Sequence, residues 1–152
     1  MPTKNLSELQ SLILSEIPMA RAMELTLREY DGAHLTIAAP LEPNINDKGC
    51  AFGGSLVSLM TLAGWGVVVL KLKDLGRDCD VYVQDSTVRY LAPVWSELIA
   101  VAQLAEGETW DDFAQSLAQR GRARATVTCR VPLEDGRDAC TMQARFVAIV
   151  RD

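Results

Sequence analysis

The feature that most constrains this 152-residue chain is an uncharged stretch of twenty residues, from Ala51 to Leu70. A helix of that length can cross a membrane or form the buried axis of a soluble domain. The stretch contains four glycines together with Ser55, Ser58 and Thr61, and amphipathic strand patterns lie on both sides of it. Such strands need an apolar surface to cover, so we interpret the stretch as a buried central helix and expect no membrane partner.

Composition narrows the class of protein further. With 49% hydrophobic and 23% charged residues and no internal repeat, the chain is expected to form one domain over residues 1–152, with its core at about residues 17–150. A net charge of -5 disfavours a nucleic acid partner. Four cysteines without a C-x-x-C pair, and a single histidine, argue against a metal site. The first ten residues lack the pattern of a signal peptide, so we expect a cytoplasmic protein with free thiols.

Hydrophobic periodicity predicts six strands around the central helix. Turn residues at Asp31-Gly32 and at Glu134-Asp135-Gly136 indicate two hairpins, and an antiparallel sheet is the simplest arrangement of the six strands. We therefore predict an α+β fold in which a curved six-stranded antiparallel sheet wraps around the long helix, with a short N-terminal helix and a small helical insertion. The predicted helices are 5–16, 51–73 and 109–120, and the predicted strands are 23–27, 35–39, 81–91, 98–105, 122–131 and 138–150.

The spacing of strands and turns also predicts which side chains lie together. If the last hairpin turns at residues 133–136, Cys129 lies opposite Cys140, and we interpret the pair as two small core residues, not a disulfide. Unbroken alternation along the third strand would place alternate residues on a common face. One of these two predicted faces consists of Val81, Val83, Asp85, Thr87 and Arg89.

Two sequence segments connect this layout to a known family. The loop Asn46-Asp-Lys-Gly-Cys-Ala-Phe-Gly-Gly54 leads into the central helix, and Val88-Arg-Tyr-Leu-Ala-Pro93 closes the third strand. With the element order, they resemble the hotdog-fold thioesterases over about residues 17–150, and more narrowly the family that also forms the C-terminal domain of some bacterial acetyltransferases. The resemblance implies a hotdog fold, a thioesterase that hydrolyses acyl-CoA or acyl-ACP, and no cofactor.

The resemblance also implies a homodimer or a dimer of dimers, because family members pair the third strand with its copy in a second subunit. An unpaired third strand would otherwise be an exposed sheet edge. In such a dimer Asp85 becomes a candidate general base, with Thr87 nearby and Arg89 available for a phosphate or a pantetheine amide. The alternative for Asp85 and Arg89 is a cross-strand salt bridge on a half-exposed sheet.

Two residues depart from the pattern of the broader thioesterase family. That pattern has an Asn in the loop, a His-Gly-Gly at the helix start and an acidic residue two turns into the helix. Asn46 matches the first position, whereas Phe52 stands in place of the His and Thr61 in place of the acid. Because the usual mechanism cannot be transferred whole, a non-catalytic module that binds acyl thioesters is the alternative function.

The residues at the helix start support thioester chemistry in their own right. Hydrolysis places negative charge on the carbonyl oxygen, which the backbone N–H groups of Gly53 and Gly54 could hold, although these glycines could instead serve only close packing. Asn46 could orient water or the thioester carbonyl, or form an Asx turn. Asp47 is either a carboxylate near the thioester or a helix cap. The candidates for lining the acyl pocket are Phe52, Ser58 and Thr61.

Overall fold

The structure, a computed structural model that describes residues 2–151, contains four α-helices and six strands in that part of the chain. The helices are α1 (Pro2–Glu16), α2 (Pro18–Met23), α3 (Gly53–Asp74) and α4 (Trp110–Arg120). The strands are β1 (Thr26–Tyr30), β2 (His34–Ala39), β3 (Cys79–Tyr90), β4 (Leu98–Leu104), β5 (Arg122–Pro132) and β6 (Asp138–Val150). A short 3-10 helix, Glu42–Asn44, precedes α3.

The beginning of the sheet differs from the sequence prediction. Residues 23–27 were predicted as a strand, but Pro18 starts a second short helix that extends to Met23, and β1 begins only at Thr26. Proline suits the first helical position because the N–H that it lacks would have no partner there. Glu24, in the left-handed conformation with φ 58°, ends α2. The alternating apolar residues are all buried, so a helix end followed by a strand produced the strand-like pattern.

The strands form one antiparallel sheet in the order β1-β2-β4-β5-β6-β3, and this sheet curves around α3. The predicted α+β architecture is therefore confirmed. β3 is twelve residues long and lies at the sheet edge, where it pairs only with β6. A full-length edge strand with one unpaired side is thus a principal feature of the isolated chain.

The central helix is buried on most of its surface. By length and composition α3 could cross a membrane, but most of its apolar residues pack inside the sheet. The side that faces β3 is only partly covered: Ser58, Thr61 and Trp65 remain partly exposed. On this side the indole N–H of Trp65 donates to the carbonyl of Val81, at 3.0 Å. The face of α3 that contacts the edge strand is therefore still partly open to solvent.

A β-bulge in β3 changes the predicted distribution of its side chains. The register with β6 shifts between Val83 and Asp85, so Gln84 is the extra residue of the bulge. Val83 lies opposite the buried Phe146, on the face towards α3, whereas Asp85 lies on the outer face. The prediction that Val81 and Val83 share a face with Asp85 is wrong, because one inserted residue inverts the alternation.

A second bulge changes the predicted pairing of the cysteines. Cys129 lies opposite Met142, and Cys140 lies opposite Val131, which is two residues from the predicted register. One residue comes from the bulge between Val131 and Pro132, and the other comes from a tighter turn at residues 134–136, where the Leu133 N–H donates to the Arg137 carbonyl at 2.8 Å. The predicted opposition of Cys129 and Cys140 is therefore wrong. All four cysteines have free thiols. Burial raises the pKa of Cys129 to about 12, so this thiol remains protonated and acts as a small core side chain.

Candidate active site

The loop before α3 leaves two backbone donors free at the start of the helix. Phe52 is the N-cap residue; its N–H donates to the carbonyl of Asn44 at 2.7 Å, and its carbonyl accepts from Leu56 at 3.1 Å. Among residues 2–151, no group accepts a hydrogen bond from the N–H of Gly53 or Gly54. The two donors lie at the positive end of the helix dipole, where an anion is stabilised.

Asn44, which the sequence analysis did not single out, holds this helix start in place. The side chain is only 2% exposed, and its Nδ2 donates to the carbonyls of Met23 (3.0 Å) and Pro40 (2.8 Å). Together with the bond from Phe52, these contacts join the end of α2, the end of β2 and the beginning of α3. The Asn44 Oδ1 accepts no hydrogen bond within the described part of the chain. No local motif in the sequence marks these long-range contacts.

An aromatic ring of another residue packs against each of the two glycines at the helix start. A Cβ on Gly54 would overlap the ring of Phe52, and a Cβ on Gly53 would lie 3.3 Å from the ring of Tyr90. The Tyr90 hydroxyl lies 3.4 Å from the Gly53 carbonyl oxygen. Because Tyr90 belongs to β3, the contact at Gly53 supports the interpretation that the glycines allow a strand to pack closely against α3. The N–H groups of the same two glycines are nevertheless free.

Exposed apolar residues lie on the segments that meet at the helix start, and we call them the apolar rim. Each of its members is at least half exposed. Phe52 and Tyr90 contact the glycines, Ile45 forms a bridge with Ala51, and Val94, the neighbour of Trp95, accepts a hydrogen bond from Ala51. Such a cluster typically marks a binding surface. The apolar rim consists of Ile45, Phe52, Tyr90, Leu91 and Trp95.

Asn46 forms the Asx turn that was one of its two predicted roles. Its Oδ1 accepts from the N–H of Lys48 at 2.8 Å, and its Nδ2 lies 3.2 Å from the Sγ of Cys50. Its backbone N–H donates to the carbonyl of Cys50 at 2.8 Å. The amide group is thus used within the loop, and the structure shows no contact between it and the free N–H groups.

Asp47 is an exposed carboxylate in the same loop. Its Oδ1 forms an ion pair with the Lys48 Nζ at 3.0 Å, and this contact holds the pKa of Asp47 below its usual value. The cap role is wrong, because α3 begins after Phe52 and has no side-chain cap. The carboxylate is therefore ionised at neutral pH and lies in the segment that leads to Gly53.

The candidates on β3 lie on the outer face of the sheet, away from α3. Asp85 accepts from the Nε of Arg145 at 2.9 Å and also from its terminal nitrogen, and these bonds hold the pKa of Asp85 below its usual value. Asp85 thus forms a cross-strand salt bridge, with Arg145 as its partner in place of Arg89. Asp85, Thr87 and Arg89 line an open concavity of about 1000 Å³. The structure separates them from Gly53 and Gly54 by the thickness of the sheet.

Ser58 and Thr61 lie along the partly open side of α3 that continues from the glycines. The Thr61 hydroxyl points towards the sulfur of Met142, at 3.8 Å, and does not bond to a carbonyl of its own helix. Ser58 is partly buried, one turn after Gly54. Both residues lie in the turns of α3 that follow the helix start. That they line an acyl pocket stays a prediction.

Comparison with known proteins agrees with this architecture. A family model described as "Putative thioesterase (yiiD_Cterm)" matches residues 6–150. A structure described as the putative thioesterase from Shewanella oneidensis is 30% identical, with a TM-score of 0.85, and the match covers 97% of this chain and 99% of that one. The protein OLEI01261 of unknown function from Chlorobaculum tepidum is 27% identical, with a TM-score of 0.92 and coverage of 99% and 97%.

A more distant structure shares the fold. The thioesterase HI1161 from Haemophilus influenzae is 17% identical, with a TM-score of 0.71, and the match covers 95% of this chain and 90% of that one. The sheet around α3 is the hotdog fold that these structures have in common. The family model covers nearly the whole chain, so the protein belongs to the thioesterase family that this model describes.

Proposed function

We propose that the protein hydrolyses acyl thioesters carried on coenzyme A or acyl carrier protein, as a cytoplasmic homodimer. The observation that supports this function most directly is the pair of free N–H groups on Gly53 and Gly54, at the amino end of a 22-residue apolar helix. Membership of a thioesterase family supports the reaction type. The apolar rim supplies a surface that an acyl chain can contact without loss of hydrogen bonds.

The chemistry follows from where charge develops. The oxygen of water attacks the carbonyl carbon, and the electron pair of the carbonyl double bond moves to the carbonyl oxygen. When this pair returns, the carbon–sulfur bond breaks and its electrons stay on sulfur, which takes up a proton and leaves as the thiol. The N–H groups of Gly53 and Gly54 stabilise the oxyanion because they are fixed before the reaction begins.

Asp47 is the better of the two carboxylates for the role of general base, which accepts a proton from the attacking water. It lies in the loop that leads into α3, on the segment that carries the free N–H groups. The Lys48 ammonium lowers the pKa of Asp47 and so makes it a weaker base, and Lys48 must therefore move away when Asp47 binds the attacking water. Asp85 lies on the outer face, with both carboxylate oxygens bonded to Arg145. Asn46 shapes the loop that carries Asp47.

A homodimer would complete the site. The open edge of β3, with Tyr82, Val83 and Tyr90 exposed on it, is suited to pair with the same strand of a second copy. A twofold axis would make this pairing antiparallel. The partly open side of α3 would then be covered by the partner, so that the acyl chain is shielded from water.

The test is a panel of acyl-CoA thioesters, of short, long and aromatic acyl groups, with thiol release followed by a colour reagent. We expect Asp47→Asn to lower kcat at least tenfold, which corresponds to about 1.4 kcal/mol of transition-state stabilisation, because the base is lost. The matched control is Asp85→Asn, which should retain the wild-type rate. Equal rates for Asp47→Asn and the wild type would contradict the role of Asp47.

The same panel separates the enzyme from a binding module. Phe52 and Thr61 favour the module, since they stand where the broader family has polar side chains. Tight binding of an acyl-CoA to the wild-type protein without any thiol release would contradict hydrolysis and support a non-catalytic role.

A further inference from the structure

An open cleft that contains three arginines lies where α4 meets the outer face of β5, and we call it the arginine cleft. Its volume is about 410 Å³. It is lined by Ser116, Arg120, Arg122, Ala123, Arg124 and Val147. Arg122 pairs with Ile149 near the end of β6. Tyr90, next to the start of α3, pairs with Cys140 near the beginning of β6. The arginine cleft and the start of α3 therefore lie at opposite ends of the sheet.

The position of α4 brings the three arginines together. β4 pairs with β5 only at residues 127–130, so the first residues of β5 have no strand on that side. α4 lies there instead, and the Ser116 hydroxyl donates to the carbonyl of Arg122 at 3.1 Å. Arg120 is the last residue of α4, and Arg122 and Arg124 lie on one face of β5 because alternate residues of a strand point the same way. The helix end and the strand thus present three guanidinium groups to one cleft.

These guanidinium groups have no ion pair or hydrogen bond with any other group among residues 2–151. The carboxylates on neighbouring segments are bonded elsewhere: Asp85 to Arg145, Asp80 to Arg151, and Glu108 to the backbone N–H of Thr126. Arg124 acts on Asp85 only through its charge at longer range. Three positive charges thus lie together without a counter-ion in the described part of a chain whose net charge is -5. Their mutual repulsion is a cost that a bound anion removes.

Phosphate is the anion that suits the arginine cleft. The helix dipole explains only one of the arginines, since Arg120 lies in the last turn of α4 whereas Arg122 and Arg124 lie on a strand. Planar guanidinium groups bind phosphate oxygens through pairs of parallel hydrogen bonds. Three of these groups match the charge of a ligand with more than one phosphate group, and a volume of about 410 Å³ lies within the range of small-molecule sites.

An exposed aromatic ring lies beside the arginine cleft. Tyr82 pairs with Val147, which lines the cleft, so the two side chains are cross-strand neighbours on the outer face. Tyr82 is 57% exposed, and its ring is therefore open to a ligand. Exposed aromatic rings provide surfaces on which nucleic-acid bases stack. A ligand that combines phosphate groups with a base would contact both features.

We propose that the arginine cleft binds a nucleotide through its phosphate groups, with the base against Tyr82. The nucleotide end of coenzyme A and a free nucleotide share this chemistry. The first source rests on the proposed thioester hydrolysis, whereas the second does not. Binding is non-covalent in both cases, and the arginines take no part in the reaction at the carbonyl carbon.

The experiment titrates the full-length protein with 3′-phospho-ADP, the nucleotide end of coenzyme A, and with ATP, and measures binding by calorimetry. We expect Arg122→Gln and Arg124→Gln each to weaken binding at least about tenfold, because each removes a charged pair of donors. The matched control is Arg77→Gln, which removes the same charge and should bind as the wild type does. Arg77 is exposed, lies outside the arginine cleft and has no ion pair within residues 2–151. All three variants should keep the wild-type Tm.

The contact with the base has a test of its own. Tyr82→Ala should weaken the binding of both nucleotides at least about threefold and leave the binding of inorganic diphosphate unchanged, because stacking acts on the base alone. Equal binding of the nucleotides to Tyr82→Ala and to the wild type would contradict the role of Tyr82.

Kinetics separate the two sources of the nucleotide. If coenzyme A supplies it, Arg122→Gln should raise KM about tenfold for an acyl-CoA but not for the corresponding acyl-pantetheine, which has no nucleotide. If the ligand is a free nucleotide, both KM values should stay unchanged while ATP binding is lost. A wild-type protein that binds neither nucleotide at millimolar concentration, or arginine variants that bind as tightly as Arg77→Gln, would overturn the proposal and leave hydrolysis standing. Nucleotide binding without any thioester hydrolysis would remove the proposed function alone.

Discussion

At the scale of single residues, two glycines allow α3 to lie close to the sheet. A Cβ on Gly64 would be 2.8 Å from the ring of Phe146, and a Cβ on Gly66 would be 2.6 Å from the Cδ2 of Leu35. Both neighbouring side chains are completely buried, so they have no free space to enter. Glycine at these helix positions therefore sets the distance between helix and sheet.

We expect Gly64→Ala to destabilise the protein. Overpacking a filled core costs about 1–3 kcal/mol, and the better helix propensity of alanine returns about 1 kcal/mol at most. The free energy of unfolding from urea denaturation should thus fall, by up to about 2 kcal/mol. An unchanged or higher midpoint at the same slope would show that Phe146 can move and that the contact is less tight than described.

The residues of the site differ in how far the sequence could identify them. Gly53, Gly54 and Asn46 belong to one contiguous motif, so their type and spacing pointed to the helix start. Asn44 and Tyr90 act through contacts with residues that are distant along the chain, and no local spacing reveals such contacts. The sequence motif therefore identified the backbone donors and Phe52 but did not identify Asn44 and Tyr90.

At the scale of elements, periodicity predicted the strands well and their faces less well. β5 has no bulge in its interior, and its alternation from Arg122 onward agrees with the observed burial. β3 contains the bulge at Gln84, and the residues before it have the opposite orientation. In β3 the inward apolar residues change from odd positions (Val81) to even ones (Val88), but the polar residues between them do not show where the extra residue lies. The architecture was therefore predictable, whereas the side on which Asp85 lies relative to Val83 was not.

The insertion helix α4 offers a test of local stability. The Thr109 side chain accepts from the N–H of Asp112 at 3.1 Å and caps the helix. We expect Thr109→Ala to lower the free energy of unfolding by about 1 kcal/mol, because one N–H group loses its partner. Thr109→Ser keeps the hydroxyl and should have nearly the wild-type value. Equal stability of the alanine and serine variants would contradict the capping role.

At the scale of the whole molecule, the open edge of β3 determines how the protein is expected to assemble. The Leu91 N–H donates to the carbonyl of Ala139 in β6. Along an antiparallel ladder, every second residue bonds to the same neighbouring strand. Between the bulge and Leu91, the N–H groups of residues 87 and 89 thus bond to β6, while those of residues 86, 88 and 90 point to the open edge. These groups are available to a second copy of the strand.

We expect Ser86→Pro to disrupt the proposed homodimer without damaging the sheet. Proline removes an N–H from the open edge and places its ring where the partner strand would lie, but it leaves the ladder with β6 intact. Light scattering should give twice the chain mass of 16.6 kDa for the wild type and for Ser86→Ala, and a single chain for Ser86→Pro. Thioester hydrolysis should be lost with the dimer. A monomeric wild type would contradict the assembly.

The order of elements along the chain has a consequence for biosynthesis. The ribosome completes the apolar helix α3 before it has made β4, β5 and β6, which form most of the sheet that covers it. A nascent chain therefore presents its most hydrophobic segment while more than a third of the polypeptide is still untranslated. During that interval the apolar surface of the helix lacks its cover, and we expect the yield of folded protein in the cell to respond to chaperone capacity as well as to the stability of the finished domain.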